Sequence, residues 1–119
     1  MEFNNNKSIF LQIADSLTDQ IANGLLAPGE KIPSVRELAA DMGVNPNTIM
    51  RTYNELQSAD IIENKRGIGY FVNVEARNKI MERKKEEFFR DVLPGFIKQA
   101  SLLGITSSDL KKHLEQLNS

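Results

Sequence analysis

The stretch Met42-Gly43-Val44-Asn45-Pro46-Asn47 limits the fold most, because it ends one helix and starts another with almost no loop between them. Gly43 suits the left-handed position that closes a helix. Asn45 is a strong N-cap and Pro46 a favoured first helical residue, since that position has no intrahelical use for an N–H and proline already holds φ near the helical value. Upstream, Ser34 and Glu37 have the spacing of a capping box, and Val35, Leu38, Ala39 and Met42 supply the apolar side of a short helix. Downstream, Ile49, Tyr53, Leu56 and Ala59 recur at spacings of 4, 3 and 3 and can pack on that helix, while Asn47, Thr48, Met50, Arg51 and Asn54 point elsewhere. Two short helices joined by a tight glycine turn, the second exposing polar side chains at its start, form a helix-turn-helix pattern.

The flanks complete it. In "SIFLQIADSLTDQIANG", Ile9, Ile13, Leu17 and Ile21 recur every fourth residue, with Ser8 placed to cap the helix and Gly24 to end it. Pro28-Gly29 makes a turn, and Pro33 stops the next helix from extending upstream of Ser34. After Leu56, Ile61 and Ile62 begin an apolar strand, Gly67 and Gly69 bracket a turn, and Tyr70-Phe71-Val72 supply a second strand. Lys65 and Arg66 then lie at the tip of a hairpin, and a basic wing of this kind can reach a phosphate backbone or a groove. The expected fold is mainly α with a small β-hairpin: a winged helix-turn-helix domain over residues 1–74, followed by a helical connector and dimerisation region over 75–119.

Composition narrows the chemistry. The 119 residues suit one domain, or one small domain with an appendage. Without cysteine, and with His113 the only histidine, neither a disulfide framework nor a thiolate or histidine metal site is expected, and no cofactor is implied. No apolar run approaches the ~20 residues of a membrane helix, and "MEFNNNKSIF" lacks a basic region followed by an apolar core. A cytoplasmic protein with no membrane partner is the expectation. No nucleophile lies beside a base motif, and the G-x-G at 67–69 sits in a hairpin, not in a phosphate-binding loop, so an enzyme is not expected. Residues 1–74 carry six Lys and Arg against nine Asp and Glu, a net of −3, and residues 75–119 net +2. The strongly basic footprint usual in nucleic-acid binding is missing from the first part, so DNA contact must rest on local placement.

The stretch "GEKIPSVRELAADMGVNPNTIMRTYNELQSADIIENKRGIGYFV" resembles the DNA-binding domain of GntR-family transcription regulators, within a match covering roughly residues 8–74. Its "NPNT" form, with a C-terminal region of only about 45 residues, is similar to the YtrA-like branch. The resemblance implies a winged helix-turn-helix that binds a double-stranded DNA operator as a homodimer and represses nearby genes. It also implies DNA contact by Arg36, by Asn47 and Thr48 at the front of the recognition helix, and by Lys65, Arg66 and Gly67 in the wing. Many members have arginine where this chain has Pro46 and Met50, so contacts made through those arginines do not carry over. Arg51, one turn beyond Asn47 on the same helix face, is placed to take over part of that work. Free backbone N–H groups and the helix dipole are expected to draw phosphate to the start of this helix, where small polar side chains permit a close approach to the major groove. The rival reading is a winged-helix module used only for protein–protein contact; a steep salt dependence separates the two.

The remaining segment changes character. In "EARNKIMERKKEE" nine of thirteen residues are charged, which reads as a solvated helical connector. Beyond it Phe89, Leu93, Phe96, Ala100 and Leu103 step by 4, 3, 4 and 3, joined by Phe88, Val92 and Ile97, with Pro94 expected to kink the helix. Gly104 ends that element, and "TSSDLKKHLEQLN" reads as a capped helix with Leu110, Leu114 and Leu117 on one side. Two helices cannot bury so much apolar surface on each other, so these residues are assigned to pairing with a second copy. They leave no room for a ligand-binding domain, but a small pocket between the C-terminal helices stays open, so whether a small-molecule effector exists is left unassigned.

Overall fold

The computed structural model describes residues 8–117. The first compact unit extends to Glu82 and the second begins at Arg83, a division that falls inside a helix. In chain order the first unit contains α1 (Ile9–Ala22), β1 (Lys31–Ile32), α2 (Val35–Met42), α3 (Pro46–Ser58), β2 (Ile62–Lys65), β3 (Gly69–Val72) and the first part of α4 (Ala76–Glu87). The three strands form one antiparallel sheet in the order β1-β3-β2.

Local chemistry sets the helix ends. In α1, Ile13, Leu17 and Ile21 are buried, but Ile9, the first of the apolar series, is 44% exposed. Ser8 holds the N-cap position with extended backbone, yet its side chain makes no capping hydrogen bond, so that part of the expectation fails. In α2 the capping box forms: the Glu37 N–H donates to Ser34 Oγ at 3.1 Å and the Ser34 N–H donates to Glu37 Oε1 at 3.2 Å. The Ser34 backbone N–H is the first of the contacts that hold the Glu37 carboxyl below its ordinary value. Gly43 closes α2 with φ 67° and ψ 36°, a left-handed conformation in which a Cβ would crowd the following carbonyl. The Asn47 N–H then donates to Asn45 Oδ1 at 2.8 Å, and Pro46 opens α3.

The core gathers Ile13, Leu17 and Ile21 of α1, Ala39 of α2, Ile49, Tyr53 and Leu56 of α3, Ile32, Ile62 and Val72 of the sheet, and Ala76 and Ile80 of α4. Two of these contributions go beyond the sequence reading. β1 has no counterpart among the elements expected from sequence; it is only two residues long, and its register (Lys31 opposite Phe71, Ile32 opposite Tyr70) is set by a strand some forty residues away. The segment 75–87 was read as a solvated connector, but its Ala76 and Ile80, four residues apart, are 0% and 3% exposed.

In the second unit the helical path continues through a π-helical segment, Phe88–Val92, into α5 (Leu93–Leu102), and α6 (Ser107–Leu114) follows. Pro94 offers no N–H to the carbonyl four residues back and its ring crowds that carbonyl. The break at the proline therefore takes the form of one wide turn upstream, in which the Leu93 N–H donates to Phe88 O, five residues back. A second capping box starts α6, with the Thr106 N–H donating to Asp109 Oδ2 at 2.9 Å and the Asp109 N–H to Thr106 Oγ1 at 3.3 Å. Leu110 and Leu114 lie in α6, whereas Leu117 falls beyond its end. Among the described residues, no helix is long and apolar enough to cross a membrane.

Candidate nucleic-acid interface

α3 is fixed by its inner face before anything is asked of its outer one. Ile49, Thr52, Tyr53 and Leu56 are its buried residues. The Tyr53 hydroxyl donates to Pro33 O at 2.6 Å, and its ring meets Tyr70 edge-on, with centroids 4.8 Å apart at 64°. One side chain thus ties α3 both to the entry of α2 and to the wing strand β3, and burial pushes its phenol above the ordinary value. Thr52, which the apolar periodicity does not reveal, is fully buried because its hydroxyl is shared between Phe10 O at 3.0 Å and Thr48 O at 2.9 Å.

The outer face carries Asn47, Met50, Arg51 and Asn54, all exposed, with Thr48 half-buried beside them. The backbone at the start of α3 has little left to offer a phosphate. Pro46 has no N–H, the Asn47 N–H is held by Asn45 Oδ1, and the Thr48 N–H donates to Asn45 O at 2.9 Å. The expectation of free N–H groups is corrected accordingly: the cap that starts the helix consumes them, leaving the side chains and the dipole field.

Arg36, the second residue of α2, is exposed, and its side chain makes no hydrogen bond or ion pair among the described residues. The same holds for Arg66 at the hairpin tip, where Gly67 adopts φ 79° and the Ile68 N–H donates to Lys65 O at 2.9 Å. Lys65 is less free, with its ammonium 3.9 Å from Glu63 Oε1 and 4.5 Å from the centre of the Phe71 ring. Arg51 lies over the ring of Phe10, its guanidinium carbon 4.2 Å from the centroid.

The seven residues assigned to DNA therefore sit on α2, α3 and the wing, elements joined through Tyr53 and the common core, and no side chain among them bonds to the side chain of another. Lys31, on β1, lies beside the wing residues and is not among those the sequence assigns. Register puts it on the same face of the sheet as Phe71 and Lys65, and a Cβ at Gly69 would come within 3.0 Å of its Cε, so the side chain lies over that glycine. The alternation of Lys31 with the buried Ile32 was its only local signal.

In the second unit none of the described residues is buried. Phe88, Phe89, Val92, Phe96, Ile97, Leu103, Leu114 and Leu117 are exposed, Phe89 and Leu103 by 63% and 69%, while Leu93, Ala100 and Leu110 are half-buried.

Comparison with known proteins places these features in a family. Residues 10–72 match the model for bacterial regulatory proteins of the gntR family. The chain is 43% identical over 109 residues to the HTH-type transcriptional regulator YhcF of Bacillus subtilis, covering 92% of this chain and 88% of that protein. It is 32% identical over 110 residues to the HTH-type transcriptional repressor YtrA of the same organism, covering 92% and 84%. A crystal structure of a GntR-family transcriptional regulator from Bacteroides thetaiotaomicron superposes with a TM-score of 0.73 at 41% identity, covering 92% of this chain and 95% of that one.

Proposed function

Because the chain belongs to the GntR family and is a DNA-binding transcriptional regulator of its YtrA-like branch, we propose that it is a cytoplasmic repressor that binds a palindromic operator as a homodimer. The observation that carries this reading is the set of outward polar side chains Asn47, Thr48 and Arg51 on a helix whose inner face is locked into the core, beside a hairpin whose Arg66 has no partner among the described residues. Arg36, Asn47, Thr48 and Arg51 supply the contacts of α2 and α3. Lys65, Arg66 and Gly67 supply those of the wing, where a glycine lets the backbone come close to DNA.

The homodimer rests on the exposed apolar residues of 88–117. So many large apolar side chains exposed within one short segment are uncommon on a monomer, and a second copy covers them while presenting two recognition helices to two half-sites. The reading head assigned to 1–74, of which residues 8–74 are described, takes in the packed start of α4, and the described remainder of 75–119 joins two heads. Repression as the direction of control follows the relative YtrA, whose name carries it.

Selection of bound sequences from random duplex DNA tests the proposal. Enrichment of two inverted half-sites, with affinity that falls steeply as salt rises, is the expected result. Recovery of no common sequence would leave the proposed operator without support.

A further inference from the structure

Of the arginines assigned to DNA contact, Arg51 is the one whose guanidinium the fold itself holds, over the Phe10 ring at 4.2 Å. We propose that Phe10 is a positioning residue for base reading: its ring, presented from the first turn of α1, holds the Arg51 fork so that sequence preference at the base pair Arg51 meets depends on Phe10. The inference rests on the operator-binding reading above.

Three observations carry it. The ring engages the guanidinium through its π face, which leaves the N–H edge unspent, and the Arg51 side chain makes no hydrogen bond or ion pair among the described residues. That edge is the part of an arginine that reads guanine O6 and N7 in a bidentate pair. Phe10 is itself held: it is half-buried, and its carbonyl accepts the hydroxyl of the fully buried Thr52, the residue next to Arg51, at 3.0 Å. The backbones that carry ring and guanidinium are thus pinned to each other. Finally, the pair lines an open cleft with Asn54, Glu55 and Ser58, so it lies at the surface and not inside the core. An arginine pre-placed in this way loses less rotamer freedom on binding, and a fork held in one orientation discriminates between bases more sharply than a mobile one.

The test uses the full-length protein. Sequence preferences are measured by selection from random duplex DNA for the parent, Phe10→Leu, Phe10→Tyr, Arg51→Ala and the double variant Phe10→Leu/Arg51→Ala, with thermal melts to confirm folding. Phe10→Met, a second non-aromatic change, guards against loss of folding in Phe10→Leu. The proposal expects Phe10→Leu to weaken discrimination at the base pairs that Arg51→Ala flattens, by about two- to five-fold, the size of an exposed cation–π contact, and to leave other positions alone. Phe10→Tyr should keep the parent's preferences, and the double variant should match Arg51→Ala. Uniform weakening for all sequences by Phe10→Leu, or additive effects in the double variant, would make Phe10 merely structural and overturn the inference. A parent that selects an operator which Arg51→Ala selects equally well removes this inference alone. A parent that enriches nothing removes the operator reading, and this inference with it.

Discussion

Arg36 and Arg66 have no partner among the described residues, so replacing either with alanine removes a charge without orphaning another group. Both variants should melt within about 0.5 kcal/mol of the parent and lose on the order of 1 to 3 kcal/mol of operator affinity where a base is read, less where only a phosphate is held. Fluorescence anisotropy on the selected duplex reads the loss, and unchanged binding by both would remove them from the interface. Tyr53 should behave in the opposite way. Tyr53→Phe deletes the 2.6 Å bond to Pro33 O and should cost about 1 kcal/mol of stability, a fall in Tm of about 4 to 8 °C for a unit of this size. Glu37 adds a pH signature. Its folded value lies below the ordinary 4.5, so the capping contribution is present above that value and is lost as pH falls through the lowered one. Glu37→Gln should therefore flatten the acid limb of the stability profile measured by thermal melts.

At the scale of elements, signals held in adjacent residues were legible and those made by tertiary contact were not. The capping box at Ser34, the glycine stop at Gly43 and the Asn45-Pro46 start each follow from neighbouring side chains and the backbone, and the α2–α3 turn forms as they dictate. β1 escaped notice because two residues carry no periodicity and their partners, Phe71 and Tyr70, are remote in sequence. Thr52 and the Phe10–Arg51 stack escaped for the same reason, since each depends on α1 lying against α3. The start of α4 shows tertiary contact overriding local character: a segment rich in charge buries Ala76 and Ile80 because those two fall on one face. Ile80→Ala should accordingly cost about 2 to 5 kcal/mol, and a chain cut after residue 74 should melt lower than one cut after Glu82. Equal melting of the two truncated chains would contradict the role given to α4. The π turn was half legible: Pro94 announced a disturbance, but where the turn widens depends on how the preceding carbonyls find donors.

For the whole molecule, the two units carry different surfaces. The first completes a core and presents polar and basic side chains, whereas the second completes none and presents Phe88, Phe89, Phe96, Ile97 and Leu103 to solvent. In the proposed dimer, self-association through the second unit would remove that exposure and make contact with a second half-site effectively intramolecular, a route by which a reading head without a strongly basic surface gains affinity. Sedimentation of the full-length protein, alone at tens of micromolar and on its selected duplex, is the most direct test. The account predicts a dimer in free solution and two chains on each duplex, with a chain ending at Glu82 monomeric and much weaker on the same DNA. A full-length protein that stays monomeric and places a single chain on the duplex would contradict it.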